Sequence, residues 1–209
     1  PVTADEVATI IDWHLTRLNQ PRQVEVAFYG GSFTALPKEV QQALLRPAYN
    51  VLKQGKIHKI RLSTRPDCID ETTLALLKDH KVTTIELGAQ SLDDNVLAAA
   101  ARGHSSQAVA QAARLIKAAG FSLGLQLMLG LPAEDWVSSI KSAYKVLDIG
   151  PDFVRIYPTL VIENTPLAVL YRQGKYAPLT LSQAVSRAAG LKLLFERHSI
   201  KVIRTGLQA

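Results

Sequence analysis

At 209 residues, with 47% hydrophobic and 20% charged residues, the chain can bury one large core and is too evenly composed to be disordered or low in complexity. Its formal charge of +6 is scattered rather than gathered into basic runs, so an anionic cofactor, substrate or RNA is compatible with that charge but not indicated by it. The single cysteine, Cys68, excludes an internal disulfide framework and any multi-cysteine metal site built from this chain alone.

No apolar run approaches the roughly 20 residues of a membrane span. Residues 1–20 read as an amphipathic helix rather than a signal peptide. The expectation is a cytoplasmic protein with no membrane partner.

Thr3 and Glu6 have the spacing of a capping box and open a helix over Thr3–Leu18. The apolar run Val24–Tyr29 then reads as a strand that ends on Gly30-Gly31, with a helix over Pro37–Gln54 behind it. Strand Ile57–Ser63 leads to helix Asp70–His80. Strand Val82–Gly88 leads to helices Asp93–Ala101 and Ser105–Ala119. Strand Phe121–Leu129, helix Ala133–Leu147, strand Asp152–Tyr157, helix Leu181–His198 and a weak strand Lys201–Ile203 complete the alternation. Gly55, Gly120 and Gly150 stand where helices should stop. Such alternation predicts a parallel sheet, open or closed, with ligands at its carboxyl edge. Without repeats or linkers, residues 1–209 read as one domain. The chain opens on a helix and without Met, so the expectation is a fragment: a β/α barrel that lacks its leading strand.

Alternate strand residues point to opposite faces. One face collects Ile60, Leu62, Ile85, Leu87, Ala89, Leu123, Leu125, Leu127, Leu129, Val154 and Ile156. The other collects Arg61, Ser63, Glu86, Gly88, Gln90, Ser122, Gly124, Gln126, Met128, Arg155 and Tyr157. A barrel interior that serves only as core is filled with Val, Ile and Leu. Each polar group buried there unpaired would cost about 1–3 kcal/mol, so this face must meet water, itself or a ligand. A half-solvated antiparallel sheet would also alternate, but the helices between strands argue for a ligand-bearing concave sheet.

The strand ends read Phe28-Tyr29-Gly30-Gly31-Ser32-Phe33, Ser63-Thr64-Arg65-Pro66-Asp67, Glu86-Leu87-Gly88-Ala89-Gln90-Ser91, Gln126-Leu127-Met128-Leu129-Gly130-Leu131-Pro132 and Arg155-Ile156-Tyr157-Pro158. In that order and spacing they resemble the radical S-adenosylmethionine (SAM) superfamily, in particular its Elongator-like and oxygen-independent coproporphyrinogen oxidase-like groups. The resemblance covers nearly the whole chain. It implies an α/β fold, a partial (β/α)6 TIM-like barrel, here missing its first strand. It implies an enzyme in which a 4Fe-4S cluster, held by a Cys-x3-Cys-x2-Cys loop and fed by an external electron donor, reduces SAM to methionine and a 5′-deoxyadenosyl radical that abstracts hydrogen from a substrate.

By the same resemblance Gly30, Gly31 and Ser32 receive the methionine amino group, Gln90 bonds the ribose hydroxyls and Arg102 reaches the carboxylate. Gln126 and Met128 lie on the ribose and adenine side, and Tyr157 and Pro158 along the adenine. Ser63 stands where relatives carry a glutamate, so that contact brings no charge. The three cluster cysteines are absent, and Cys68 is not one of them; the polypeptide as given is expected to be inactive. SAM binding without the cluster is expected to be weak.

His14, His58, His80, His104 and His198 are dispersed and read as surface or cap residues. Residues 163–176 resemble the segment after the sixth strand in the Elongator-like group. The implied substrate is a tRNA wobble uridine or a porphyrin-like small molecule. Two other classes compete, a cluster-free α/β barrel that only binds and a conventional barrel lyase; the lyase is disfavoured because no Lys lies on the polar face. Losing a first strand would leave Val24–Tyr29 with an open edge, through which a dimer is expected.

Overall fold

The structure is a computed structural model that describes residues 2–18 and 23–206. Six strands form one sheet in sequential order, β1 (Glu25–Phe28), β2 (Lys59–Thr64), β3 (Thr84–Gln90), β4 (Ser122–Leu129), β5 (Phe153–Pro158) and β6 (Lys201–Thr205). Every predicted strand forms, including the weak sixth. The helices are α1 (Ala4–Leu15), α2 (Lys38–Lys53), α3 (Glu71–Asp79), α4 (Asp94–Ala99), α5 (Ser106–Ala118), α6 (Trp136–Ile149), α7 (Pro166–Arg172) and α8 (Leu181–Arg197). The chain packs as two compact units, Pro1–Leu87 with Ala112–Leu123, and Gly88–Gln111 with Gly124–Ala209.

In the first unit β1 lies at the sheet edge and pairs in parallel with β2, Glu25 opposite Lys59 and Phe28 opposite Leu62. β2 pairs in parallel with β3, which sets Ser63 opposite Glu86. The capping box at Thr3 and Glu6 forms, and α1 buries Val7 and Ile11 as it packs on α2.

In the second unit β4 pairs with β5 in parallel, with Gln126 opposite Arg155, Met128 opposite Tyr157 and Leu129 opposite Pro158. β6 adds to β5 beyond an irregularity at Val154 and Arg155. Helix α6 ends on Gly150 in the left-handed conformation, as its sequence position predicts. Helix α7 is absent from the sequence reading. Its start is nonetheless written there: the Thr165 side chain accepts from Ala168 N–H, and Pro166 takes the first turn, where its missing N–H costs nothing.

The two-residue alternation holds. Ile60, Leu62, Ile85, Leu87, Ala89, Leu123, Leu125, Leu127, Leu129, Val154 and Ile156 are buried. Arg61, Ser63, Gly88, Gln90, Gln126, Met128, Arg155 and Tyr157 are only partly covered. Glu86 departs from this pattern: it stands on the polar side and is buried.

Candidate cofactor-binding site

In the first unit the candidate residues gather on the turn after β1. Gly30 has φ +102°, which L side chains rarely adopt. Gly31 carries no such backbone demand, and a Cβ placed there would meet nothing within 4 Å. Ser32 leads into a 3₁₀ turn, Phe33–Ala35, and caps it with no side-chain bond. The turn is bracketed by side-chain contacts. Before it, Tyr29 Oη donates to Glu86 Oε1 at 2.5 Å. After it, Thr34 N–H and hydroxyl meet Thr64 Oγ1 at 3.2 and 2.6 Å. Glu86 also takes Arg61 Nε at 3.0 Å, while Arg61 Nη1 reaches Glu25 Oε2 at 3.0 Å. Ser63 lies in β2, in register with Glu86.

The second unit holds the remaining candidates. Gln90 ends β3 with φ +65°, uncommon for a residue with a side chain. Its Oε1 is buried and makes no hydrogen bond. Ala89 C=O, one residue earlier, is held by Ser91 N–H at 2.8 Å and pairs with His104 Nε2 at 3.1 Å. Arg102 is exposed and reaches Met128 Sδ at 3.3 Å. Met128 lies beside Tyr157 in register, and the Tyr157 hydroxyl takes Arg155 Nη1 at 3.3 Å. The structure thus joins Arg102, Met128 and Tyr157, and sets Gln126 beside Arg155 and Pro158 beside Leu129.

Cys68 sits in a 3₁₀ turn, Pro66–Cys68, and is partly buried. Burial and then the Asp67 charge push its thiol up, away from the thiolate that binds metal. The other histidines act locally: His58 Nδ1 accepts from Val24 N–H at 3.1 Å, and His80 and His198 cap α3 and α8. Among the described residues no group of three or more His, Cys, Asp or Glu could hold a metal ion.

Sequence reasoning missed the turn after β4. Glu134 accepts from the N–H groups of Gly130 and Leu131, the latter at 3.1 Å, and from Ser139 Oγ at 2.9 Å. Burial pushes its carboxyl above the ordinary range against those donors. Tyr176 Oη donates to Gly130 C=O at 2.6 Å. A carboxylate four residues past a strand-ending glycine was the available signal.

The profile of the Radical SAM superfamily matches residues 2–143. The chain belongs to the radical SAM superfamily. The Radical SAM C-terminal domain matches residues 151–209 as well. Similar curated proteins include the tRNA uridine(34) acetyltransferase of Methanocaldococcus jannaschii, 27% identical over 82% of this chain and 36% of that protein. Elongator complex protein 3 of Saccharomyces cerevisiae is 29% identical over 82% of this chain and 34% of its own length. The chain therefore spans about a third of these relatives. Among solved structures, archaeal Methanocaldococcus infernus Elp3 with residues 1–46 deleted superposes at TM-score 0.84, with 23% identity over 99% of this chain and 56% of that one. The radical SAM enzyme coproporphyrinogen III oxidase of Escherichia coli gives 0.68, with 15% identity over 93% and 46%. These neighbours make the fold an α/β partial barrel of the radical SAM type.

Radical SAM proteins bind SAM and a 4Fe-4S cluster. Each unit by itself offers a feature that suits part of a nucleoside cofactor with a polar tail: in the first, open space where Gly31 would carry a Cβ; in the second, a buried Gln90 side-chain oxygen that makes no hydrogen bond among the described residues. A cluster does not suit the residues of this chain, whose one cysteine is a raised, partly buried thiol.

Proposed function

We propose that this chain is the SAM-binding core of a radical SAM enzyme of the Elongator-like group, acting on the wobble uridine of tRNA in the cytoplasm. The observation that carries the reading is Gly31. Among the described residues nothing stands within 4 Å of a Cβ placed there, so the backbone is open to a ligand that approaches from outside.

Within the first unit, the Gly30-Gly31-Ser32 turn receives the methionine amino group through exposed backbone carbonyls, with Ser63 on β2, the strand paired with β1. Within the second, the Gln90 carbonyl oxygen takes a ribose hydroxyl, and Gln126, Met128, Tyr157 and Pro158 supply the nucleoside contacts. Arg102 takes the carboxylate by a charge-assisted bond. When bound and reduced by an external electron donor, SAM supplies a 5′-deoxyadenosyl radical for hydrogen abstraction. The cluster that delivers the electron takes its ligands from outside these residues.

The tRNA assignment is supported by the substrate in the relatives' names. The exposed edge of β1 is a second pairing surface, through which two copies associate at high concentration.

Saturation-transfer NMR of the chain with SAM tests the cofactor assignment. Transfer to the adenine and ribose protons is expected, with an affinity weaker than micromolar, and Gly31→Ala is expected to reduce it. No transfer from the wild-type chain overturns the reading. A polypeptide carrying this chain behind a three-cysteine loop should form methionine and 5′-deoxyadenosine from SAM after anaerobic reconstitution with iron and sulfide and reduction with dithionite.

A further inference from the structure

We infer that Tyr29 is a positioning residue, tied to the buried Glu86 carboxylate so that the glycine turn faces the methionine end of the cofactor. The inference rests on the assignment of Gly30 and Gly31 made above and extends it to the residue that precedes them.

Glu86 has a side chain only 1% exposed. A carboxylate so far from water must be matched by donors. It is met by the charge of the Arg61 guanidinium from β2, whose Nε lies 3.0 Å from Oε1, and by Tyr29 Oη, which donates from the residue that follows β1. One β3 side chain thus ties β2 to the residue that follows β1, two strands away. Arg61 is itself held by Glu25.

Tyr29 contributes little as core, being 50% exposed. Its hydroxyl is the anchored part. The next two residues are glycines, the most conformationally free pair a chain can have. Backbone carbonyls on such a turn receive an amino group well only if the turn is fixed beforehand, because freezing it on binding costs affinity. The far side of the turn is fixed by the buried Thr34 to Thr64 contact and by Phe33 packing on Phe28, ring centroids 5.1 Å apart. The near side is fixed by Tyr29 on Glu86. A structural role alone would place this tyrosine ring in the core; here the ring is half open, and the hydroxyl is spent on orientation.

The test compares wild type with Tyr29→Phe, which removes the hydroxyl and keeps the ring. Affinities for SAM and for adenosine, which lacks the methionine end, are read by saturation-transfer titration, and amide exchange is followed at Gly30 and Gly31. Loss of one bond to a charged acceptor is expected to weaken SAM about fivefold to tenfold. Adenosine binding should stay as in wild type, the thermal midpoint should fall by only a few degrees because the buried Glu86 keeps Arg61, and the two amides should exchange several-fold faster. Equal SAM affinity in wild type and Tyr29→Phe overturns the inference. So does an equal loss for SAM and adenosine, which would mean a general loosening of the fold. A wild-type chain that binds adenosine but gains nothing from the methionine end overturns the underlying assignment of the glycine turn, and is told apart from the first failure because Tyr29→Phe is not needed to see it.

Discussion

Two turns of this molecule begin alike and end differently. After β1 the chain passes through Gly30 and Gly31, and after β4 through Gly130. Gly30 and Gly130 are left-handed, at φ +102° and +79°. At Gly130 the space is taken: a Cβ would lie 2.8 Å from Leu179 Cγ. Its N–H is held by Glu134 and its C=O by Tyr176. At Gly31 a Cβ would meet nothing within 4 Å. The fold uses one glycine turn as an internal joint, satisfied by the protein's own carboxylate and phenol, and leaves the other open. The β4 turn meets its own N–H groups with Glu134, whereas among the described residues nothing stands over Gly31 in the β1 turn.

Substitutions at the joint should separate the two uses most sharply. Gly130→Ala combines an unfavourable φ with a collision against Leu179. A loss of about 3 kcal/mol or more is expected in urea denaturation. A loss under about 1 kcal/mol would mean that the joint is as open as the β1 turn. Tyr176→Phe leaves the Gly130 carbonyl without its buried donor and should cost about 1–2 kcal/mol.

Glu134→Gln probes the same joint through pH. Burial raises the carboxyl in the folded chain above its unfolded value, so the fold binds that proton more tightly. Stability from this group is therefore present at low pH and falls as pH rises from the ordinary carboxylate range through the raised value. Glutamine cannot ionise, so the variant should lose that part of the pH dependence. The wild-type minus variant difference should change by on the order of 1 kcal/mol between pH 4 and 8. A flat difference would mean the three donors to Glu134 cancel its burial, and a rise with pH that they outweigh it.

The contrast between the turns also marks how far the sequence could be read. Strands and most helices were legible because apolar residues recur every second position in β2 to β5 and glycines close the helices. Helix α7 was hidden within a loop-like stretch, although Thr165 and Pro166 carry its start. At the site, Gly30-Gly31 was legible as a pair. What the sequence could not give was who satisfies whom. Gly130 looks like a second ligand glycine until Glu134 and Tyr176 are seen to fill it. Glu86 reads as one more polar lining residue until its burial and its bond to Tyr29 are known, since that pairing spans 57 positions. Side chains distant in sequence decide both turns, and periodicity carries no information about them.

The smallest stability effect is the most informative. Gly31→Ala meets no steric neighbour and no left-handed backbone. Replacing a glycine where alanine fits removes freedom from the unfolded chain, so stability should stay the same or rise by about 0.4–1 kcal/mol. SAM saturation transfer should fall all the same, because the methyl group occupies the space the ligand's polar end would use. A protein made slightly more stable and poorer at binding would separate fold from function at a single carbon atom. If Gly31→Ala instead destabilises the chain by more than about 1 kcal/mol, the turn after β1 is a structural joint like the one after β4, and the asymmetry between them disappears.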